Sequence, residues 1–473
     1  IPPQALPAGP TTNPMHAFPH PLLPPGRMPA VATPPRPSQE LRKVLYAPIK
    51  LALAYLLATY ALFLASNLVG DVSNLGMLTT FVTITFAAFY VGFRAGIGNP
   101  ARWVGKSGPQ FGGTSFQRRL ALVAALYFLI WSVNQFIDFG ATSPADIVNR
   151  ILTPGAAYKA KFDVYARRLD TNAVNPVTQV LILASILYAV FVPLLIAGWR
   201  NLGAATRVLG SLAVLAYIGC FLFIGTMKGV GDIALFALAG GSVWLAKHTL
   251  FEPGDGKRRR PLLKAAAAGA LLLGYMAFNQ FQRAQEFNIQ ESLIVGDVSR
   301  TAIARTLGQD AAFGIYSTLA YPSHGYRGLA ISLDDPFVFS HGAGLSQAVE
   351  SYRRQFLGGP DNVLLTYPFR GELASGWPSS LVWWTIFPWL ASDLTFWGVP
   401  LFMALMGWVF ARLWTACLFG NNPFALAAFG QMLIFVAFIP ANNQVLMQRQ
   451  GLWSVIWLLG IGAGHLLTSR RRR

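Results

Sequence analysis

Long apolar runs separated by polar segments dominate the chain from residue 44 onward. Each run is close to the length that an α-helix needs to cross a bilayer, roughly 20 residues. A single soluble core would not need so many nearly uncharged runs, so the pattern predicts an all-α polytopic membrane protein. The ten predicted spans are 44–66, 75–93, 120–137, 179–198, 208–226, 230–247, 263–281, 394–416, 424–440 and 450–468.

Polar segments divide these spans into two blocks. The first 43 residues are Pro-rich, which predicts a disordered or polyproline tail, and they lack the apolar core of a signal peptide. The predicted order is therefore a cytoplasmic tail (1–43), seven spans (44–281), a large loop region (282–393), three spans (394–468) and a basic end (469–473).

The segment 282–393 is the longest polar stretch, and loops of this length usually carry a function. A second sizeable loop is predicted at 138–178. Within the large loop, 377–391 is short, apolar and rich in Trp. Because Trp is favoured at the membrane surface, 377–391 is predicted to be an interfacial helix rather than an eleventh span.

Composition and charge set the predicted orientation. The chain is 54% hydrophobic and 12% charged, whereas soluble domains are about 25% charged. With both termini on one side, that side holds 23 basic and 3 acidic residues, and the other holds 14 and 16. The net charge of +18 thus splits into +20 and −2. Positive residues accumulate on the cytoplasmic side, so both termini are predicted inside.

Several site classes are not indicated by the sequence. The two cysteines, Cys220 and Cys417, fall in or beside spans, which suggests buried side chains and neither a disulfide framework nor a metal site. No phosphate-cradling loop or HExxH motif is present, so neither nucleotide hydrolysis nor a zinc site is predicted. The basic clusters Lys257–Arg260 and Arg470–Arg473 abut spans, which favours topology anchors over nucleic-acid binding.

Candidate acid–base chemistry lies in the large loop. His324 follows Ser323 and precedes Gly325, and histidine is the side chain best matched to proton transfer near neutral pH. The alternative is a loop histidine that hydrogen-bonds backbone. Glu372 could either orient Arg370 or serve as a base.

Candidate anion-binding side chains lie where the predicted spans meet the loops. Lys228, Arg283 and Arg449 are at span ends, while Arg327 and Arg370 belong to the loop. Arg offers a forked, permanent charge and Lys a point charge, a combination that suits a diphosphate. The alternative is that these residues pair with the acids of the loop, which is the interpretation favoured for Arg353 and Arg354.

Three motifs carry a resemblance to a known family. They are Tyr321–Leu329 with the following Asp334–Phe337 and His341–Leu345, then Gly225–Ile233, and then Ser392–Leu401. With the arrangement of spans and loops, they make the region 44–468 resemble the oligosaccharide repeat-unit polymerases of the O-antigen (Wzy) type.

The resemblance implies a fold similar to GT-C-like polymerases and ligases, in the bacterial inner membrane, with the active face in the periplasm. It implies glycosyl transfer from a growing chain on undecaprenyl diphosphate to a new repeat unit, with release of undecaprenyl diphosphate. No cofactor and no metal-binding residue are predicted. The implied partners are lipid-linked oligosaccharide and the bilayer, and a chain-length regulator protein is a candidate.

The same resemblance implies residue roles. His324 becomes the candidate base with Tyr326 beside it, and Glu372 is a second candidate. The set implied to contact the diphosphate is Lys228, Arg283, Arg327, Arg370 and Arg449. His324→Ala is then expected to abolish chain growth without affecting expression.

Three alternatives to a polymerase stay open at this point. An O-antigen ligase would use the same donor but a lipid A core acceptor. A lipid-linked sugar transporter would usually show two similar halves, and no internal repeat is evident here. A scaffold without catalytic activity is the third alternative.

Overall fold

The structure, a computed structural model, describes residues 39–103, 113–171, 175–251, 259–287, 293–379 and 381–471. Within these residues the chain is all-helical, as the apolar pattern predicted. Its α-helices are α1 (Gln39–Leu64), α2 (Leu75–Ile97), α3 (Thr114–Asp138), α4 (Pro144–Leu152), α5 (Pro154–Thr171), α6 (Pro176–Leu183), α7 (Ile186–Ala197), α8 (Ala204–Phe223), α9 (Lys228–Phe251), α10 (Arg259–Glu286), α11 (Ala302–Leu307), α12 (Gln309–Ala320), α13 (Gly325–Leu333), α14 (Gln347–Leu357), α15 (Tyr367–Ser375), α16 (Ile386–Phe419), α17 (Pro423–Phe438), α18 (Gln444–Met447) and α19 (Arg449–Arg471).

Short sequence signals set where several helices begin. Asn175 caps α6 by accepting a hydrogen bond from the Thr178 N–H, and Pro176 occupies the first helical turn. Asn422 caps α17 in the same way. A side-chain oxygen satisfies a free N–H of the first turn, and Pro lacks an N–H that would need a partner there.

Six helices, α1, α2, α3, α8, α9 and α16, are long and apolar enough to cross a membrane. The pair α6–α7, bent by 60°, makes a seventh if it forms one broken span. Helices also occupy the other predicted positions, but α17 is short, and α10 and α19, although long, do not meet the same test of apolar composition among the described residues. The chain is therefore a membrane-embedded helical protein, and ten spans are not shown.

The pair α2–α16 forms a close helix contact. A Cβ on Gly92 would overlap the carbonyl group of Ala404, and one on Gly407 would overlap that of Phe89. Small residues let two backbones approach in this way inside a membrane. The opposite face of α16 is exposed and apolar, as expected of a lipid-facing stripe, with Trp397 at 88% and Leu401 at 75% exposure.

The Trp-rich segment differs from the predicted interfacial helix at 377–391. Residues 376–379 and 381–385 are not helical, and Trp377 and Trp384 are buried. The helix starts at Ile386 and breaks at Thr395, where φ is 61° and ψ is 163°. The tryptophans fill space between α13 and α15, because Gly328 and Gly371 leave room for the Trp384 ring.

The charge pattern divides the polar segments into two groups, one rich and one poor in basic residues. The following contacts at helix ends each join segments of the same group. At one end, the basic end, Trp103 stacks on Phe419 at 5.3 Å and the Lys247 amine donates to the Gly420 carbonyl. At the other, the loop end, Asn74 donates to Asp334 of the large loop. The predicted tail up to residue 38, and Lys257, Arg258, Arg472 and Arg473, lie outside the described residues.

Candidate functional site

His324 lies in a turn between α12 and α13, and it is buried at 1% exposure. Its Nε2 accepts a hydrogen bond from the Trp383 N–H at 2.8 Å. Since Nε2 is an acceptor, the proton of the neutral ring is on Nδ1, which lies 3.1 Å from the Ala320 carbonyl oxygen and donates to it. Both ring nitrogens are thus used to join two backbone segments.

This geometry does not fit the predicted role of His324 as a general base that faces a substrate chamber. Burial lowers the pKa of His324 to about 4, although its hydrogen bonds to the backbone oppose this shift, so the ring stays neutral near pH 7. Neither nitrogen is free for a substrate hydroxyl in this structure. The sequence shows a Gly-flanked histidine, but it does not show that Trp383, distant along the chain, covers the ring.

Tyr326, predicted to assist His324, is a packing residue in this structure. It is fully buried, its hydroxyl lies 3.1 Å from the Thr59 hydroxyl of α1, and its ring contacts Tyr60 at 5.1 Å. Burial also raises its pKa. Packing also accounts for the glycine at position 325, because a Cβ there would overlap the Pro440 carbonyl. The motif 321–329 therefore joins the loop to the bundle.

The acid predicted as a base, Glu372, holds the backbone near Ser379. Its Oε2 accepts hydrogen bonds from the Ser379 N–H at 2.9 Å and from the Ser379 hydroxyl at 2.6 Å. It does not orient Arg370, which donates to the Pro336 and Leu365 carbonyls.

Arg327, a second predicted diphosphate contact in the loop, also has local partners. Its Nη1 lies 2.6 Å from the Asp71 carboxylate, and its guanidinium lies 4.7 Å from the centre of the Trp377 ring. The structure therefore accounts for Arg327 and Arg370 through their own neighbours and does not bring them together with Arg283.

Lys228 and Arg283, in contrast, lie together at the turn that connects α8 and α9. The Arg283 Nη2 donates to the Gly225 carbonyl at 2.5 Å, and Lys228 starts α9 three residues later. Gly225 has φ +66°, and a Cβ there would lie 2.6 Å from the Pro154 carbonyl oxygen. Only glycine fits at position 225 without strain, because φ is positive there and the start of α5 packs against this residue.

The helix α5 adds a second lysine that the sequence reasoning missed. The Arg283 guanidinium carbon lies 3.7 Å from the centre of the Tyr158 ring, and the Lys161 amine lies 5.1 Å from the same centre. Burial, and then the Arg283 charge, lower the pKa of Lys161 to about 8. Aromatic residues at positions 158, 162 and 165 around Lys161 were the available signal. We call Lys161, Lys228, Arg283 and Tyr158 the cation cluster.

Two buried polar atoms at the cation cluster have no hydrogen-bond partner among the described residues. One is the Arg283 Nε, a donor, and the other is the Asp232 Oδ1, an acceptor. Buried polar groups are usually paired, and exceptions call for an explanation such as a ligand or unseen water. A ligand acceptor such as a phosphate oxygen would complete Arg283 Nε, whereas Asp232 Oδ1 needs a donor such as a hydroxyl.

Tyr321 connects the cation cluster to the large loop. Its ring lies 5.5 Å from that of Trp383, which also covers His324. Burial raises the pKa of Tyr321 to about 12, and the nearby Arg283 charge opposes this. The predicted motif is thus next to the cation cluster, but through Tyr321 rather than through His324.

Arg449 lies on a different surface of the loop end. Its Nη2 donates to Ser351 at 2.6 Å and to Gln355 at 2.9 Å, and its guanidinium lies 4.3 Å from the Tyr352 ring centre. Those two acceptors line an open polar groove of about 520 Å³ along α14. The other lining residues are Gln347, Glu350, Arg354, Gly359, Asp361 and Val363.

A smaller cavity of about 100 Å³ lies at the basic end, between α3, α7, α9 and α17. Its one described cation, Lys247, already donates to the Gly420 carbonyl at 2.7 Å. The cavity is too small for a diphosphate with a sugar attached, so the cation cluster is the stronger candidate site.

Comparison with protein-family models, with curated proteins and with solved structures finds no match to this chain. Function therefore has to be argued from the geometry of the loop end and from the sequence motifs.

Proposed function

We propose that the chain is a membrane glycosyltransferase that polymerises lipid-diphosphate-linked oligosaccharide units. The observation that carries the proposal is the cation cluster, where Arg283 binds the turn at Gly225 that leads into Lys228 and Lys161 shares the Tyr158 ring with Arg283. A diphosphate leaving group gains negative charge as its bond to the sugar breaks. Cations held in place beforehand stabilise that charge without needing to reorganise.

The reaction balances without a cofactor. The acceptor sugar hydroxyl oxygen forms a bond to the anomeric carbon of the donor, and the bond from that carbon to the diphosphate oxygen breaks. The bonding electron pair leaves with the lipid diphosphate, which faces Arg283 and Lys228. The hydroxyl proton passes to the departing diphosphate, so the proposal does not need His324 as a base.

The surroundings of the cation cluster suit a lipid-linked substrate. Leu271 and Phe278, two turns apart on one face of α10, are 76% and 38% exposed and precede Arg283. This apolar face gives a polyprenyl chain a place to lie on the helix that carries Arg283. On a different surface of the loop end, the α14 groove offers amide, hydroxyl and carboxylate groups, which match the hydroxyls of a sugar chain.

The motifs similar to O-antigen polymerases extend the proposal. They favour undecaprenyl diphosphate as the carrier, the bacterial inner membrane as the location and its periplasmic face as the site of reaction. A chain-length regulator protein is a proposed partner.

The test uses the purified full chain in phosphatidylcholine liposomes with undecaprenyl-diphosphate-linked oligosaccharide. A ladder of longer glycans on the lipid carrier is expected. Single transfer to added lipid A core would instead indicate a ligase, and binding of the substrate without any product would indicate a scaffold.

A further inference from the structure

Asp232 is a buried carboxylate in the second turn of α9, at 1% exposure. Its Oδ2 accepts hydrogen bonds from the Lys228 amine and from the Tyr188 hydroxyl, both at 2.7 Å. Its Oδ1 has no hydrogen-bond partner among the described residues. The only other charged residues in α9 are Lys228 and Lys247.

A stabilising role does not explain this carboxylate. Moving charges out of water costs more than one ion pair usually returns, and well-packed apolar residues often replace such pairs without loss. The neighbourhood would accept apolar groups, because the Tyr188 ring contacts Phe128 at 5.9 Å and Phe236 at 5.1 Å. Ionisable residues inside membrane helices usually serve function.

The Lys228 side chain is positioned between two environments. Its amine is paired with the buried carboxylate, yet the side chain keeps 31% exposure. The same turn carries Gly225, whose carbonyl holds Arg283. Release of the amine from Asp232 would therefore free the flexible lysine stem for another anion at this turn.

We infer that Asp232 is a counter-ion that competes with the lipid diphosphate for Lys228. When the diphosphate binds beside Arg283, the Lys228 amine moves to it and Tyr188 keeps its hydrogen bond to the carboxylate. After transfer, Asp232 takes Lys228 back and the lipid diphosphate is released. Asp232 is thus a positioning residue that limits product affinity, and this inference rests on the proposed function.

The inference predicts an unusual direction of change. Asp232→Asn keeps the size of the side chain and an oxygen for Tyr188 but removes the negative charge. Lys228 is then free for the ligand, and a nearby repulsive charge is gone, so the affinity for undecaprenyl diphosphate should rise about tenfold. Turnover at saturating substrate should fall, because product release slows.

The experiment measures binding of radiolabelled undecaprenyl diphosphate to the full chain in phosphatidylcholine nanodiscs. Wild type, Asp232→Asn, Lys228→Ala and the double variant form a cycle. We expect tighter binding by Asp232→Asn alone, and less than a twofold effect of the same change when Lys228 is absent. Weaker binding by Asp232→Asn, or an equal effect in both backgrounds, would overturn the inference.

A second variant tests the inference even if Asp232→Asn does not fold. Tyr188→Phe leaves both charges in place and removes one donor from Oδ2, so the carboxylate should hold Lys228 more strongly and ligand binding should weaken two- to threefold. Tighter binding or no change would contradict the inference. Absence of binding by wild type would overturn the proposed function as well, whereas wild-type binding with no response in the cycle would overturn this inference alone.

Discussion

The ring of His324 and the charged side chains near the Gly225 turn differ in how completely their polar atoms are paired. At His324 both ring nitrogens have backbone partners. At the cation cluster, Arg283 Nε and Asp232 Oδ1 have none among the described residues. A side chain whose hydrogen bonds are all internal holds the fold together, whereas an incomplete set is available to a ligand. This difference favours the turn at Gly225 over the histidine motif as the candidate site.

The largest expected effect comes from Arg283→Ala. It removes the guanidinium aimed at the proposed diphosphate, and loss of one such donor typically costs 10²–10³-fold in turnover. We therefore expect about a 100-fold slower growth of the glycan ladder in liposomes. Arg305→Ala is the matched control, because Arg305 is exposed and donates to the nearby Arg300 carbonyl, and its loss should leave ladder growth within about twofold. Equal effects of the two changes would contradict the assignment.

Gly225→Ala tests whether the turn positions the cluster. The new methyl group would meet the Pro154 carbonyl at a residue with positive φ, so α5 or the turn must shift. We expect turnover to fall about 10- to 30-fold and the free energy of unfolding to fall by about 1–3 kcal/mol. Gly231→Ala is the control, since a Cβ there meets nothing within 4 Å and alanine favours a helix. A harmless Gly225→Ala would mean that the turn does not set the geometry.

Lys228→Ala and Arg449→Ala compare the cluster with the groove. Lys228 lies in the same turn that binds Arg283, whereas Arg449 is held by Ser351 and Gln355. We expect Lys228→Ala to raise the donor KM about tenfold and Arg449→Ala to raise it at most about threefold. Initial rates over a range of donor concentrations give both values. A larger effect at Arg449 would place the diphosphate on the groove side.

The smallest effect on chemistry is expected for His324→Gln, with turnover of the folded protein within about threefold of wild type. Its main effect should be on stability. His324 has a folded pKa of about 4 against about 6.5 in the unfolded chain, so the unfolded state binds the proton more readily. Its contribution, on the order of 3 kcal/mol, is complete above pH 6.5 and is lost as pH falls towards 4.

Melting temperatures measured from pH 4 to pH 8 check this. Wild type should lose stability below pH 6.5, and His324→Gln should lack that component. Two results would contradict this assignment and support a catalytic role for His324. One is a wild-type melting temperature that does not change with pH, and the other is loss of chain growth in a His324→Gln variant that melts normally.

The sequence predicted the fold where local pattern decides it. Apolar runs identify α1, α2, α3, α8 and α9, because each run alone is long enough to cross a membrane. The break at Thr395 precedes Pro400 by five residues, so a proline was the available signal, whereas the prediction of one span over 179–198 did not include the bend between α6 and α7.

The site was predictable only in part, for a related reason. Lys228 and Arg283 follow from their position at span ends on the side that is predicted to be poor in cations. The pairing of His324 with Trp383 and the approach of Lys161 to Arg283 join distant parts of the chain. Asp232 could have been noticed as the lone acid of an apolar helix.

The most direct test is single-turnover release of undecaprenyl diphosphate at saturating donor, with Arg283→Ala and His324→Gln compared in samples of equal folded fraction. We expect release to slow by about 100-fold in Arg283→Ala and to stay within about threefold of wild type in His324→Gln. The reverse order would place the chemistry at the histidine and contradict the assignment of the site to the cation cluster.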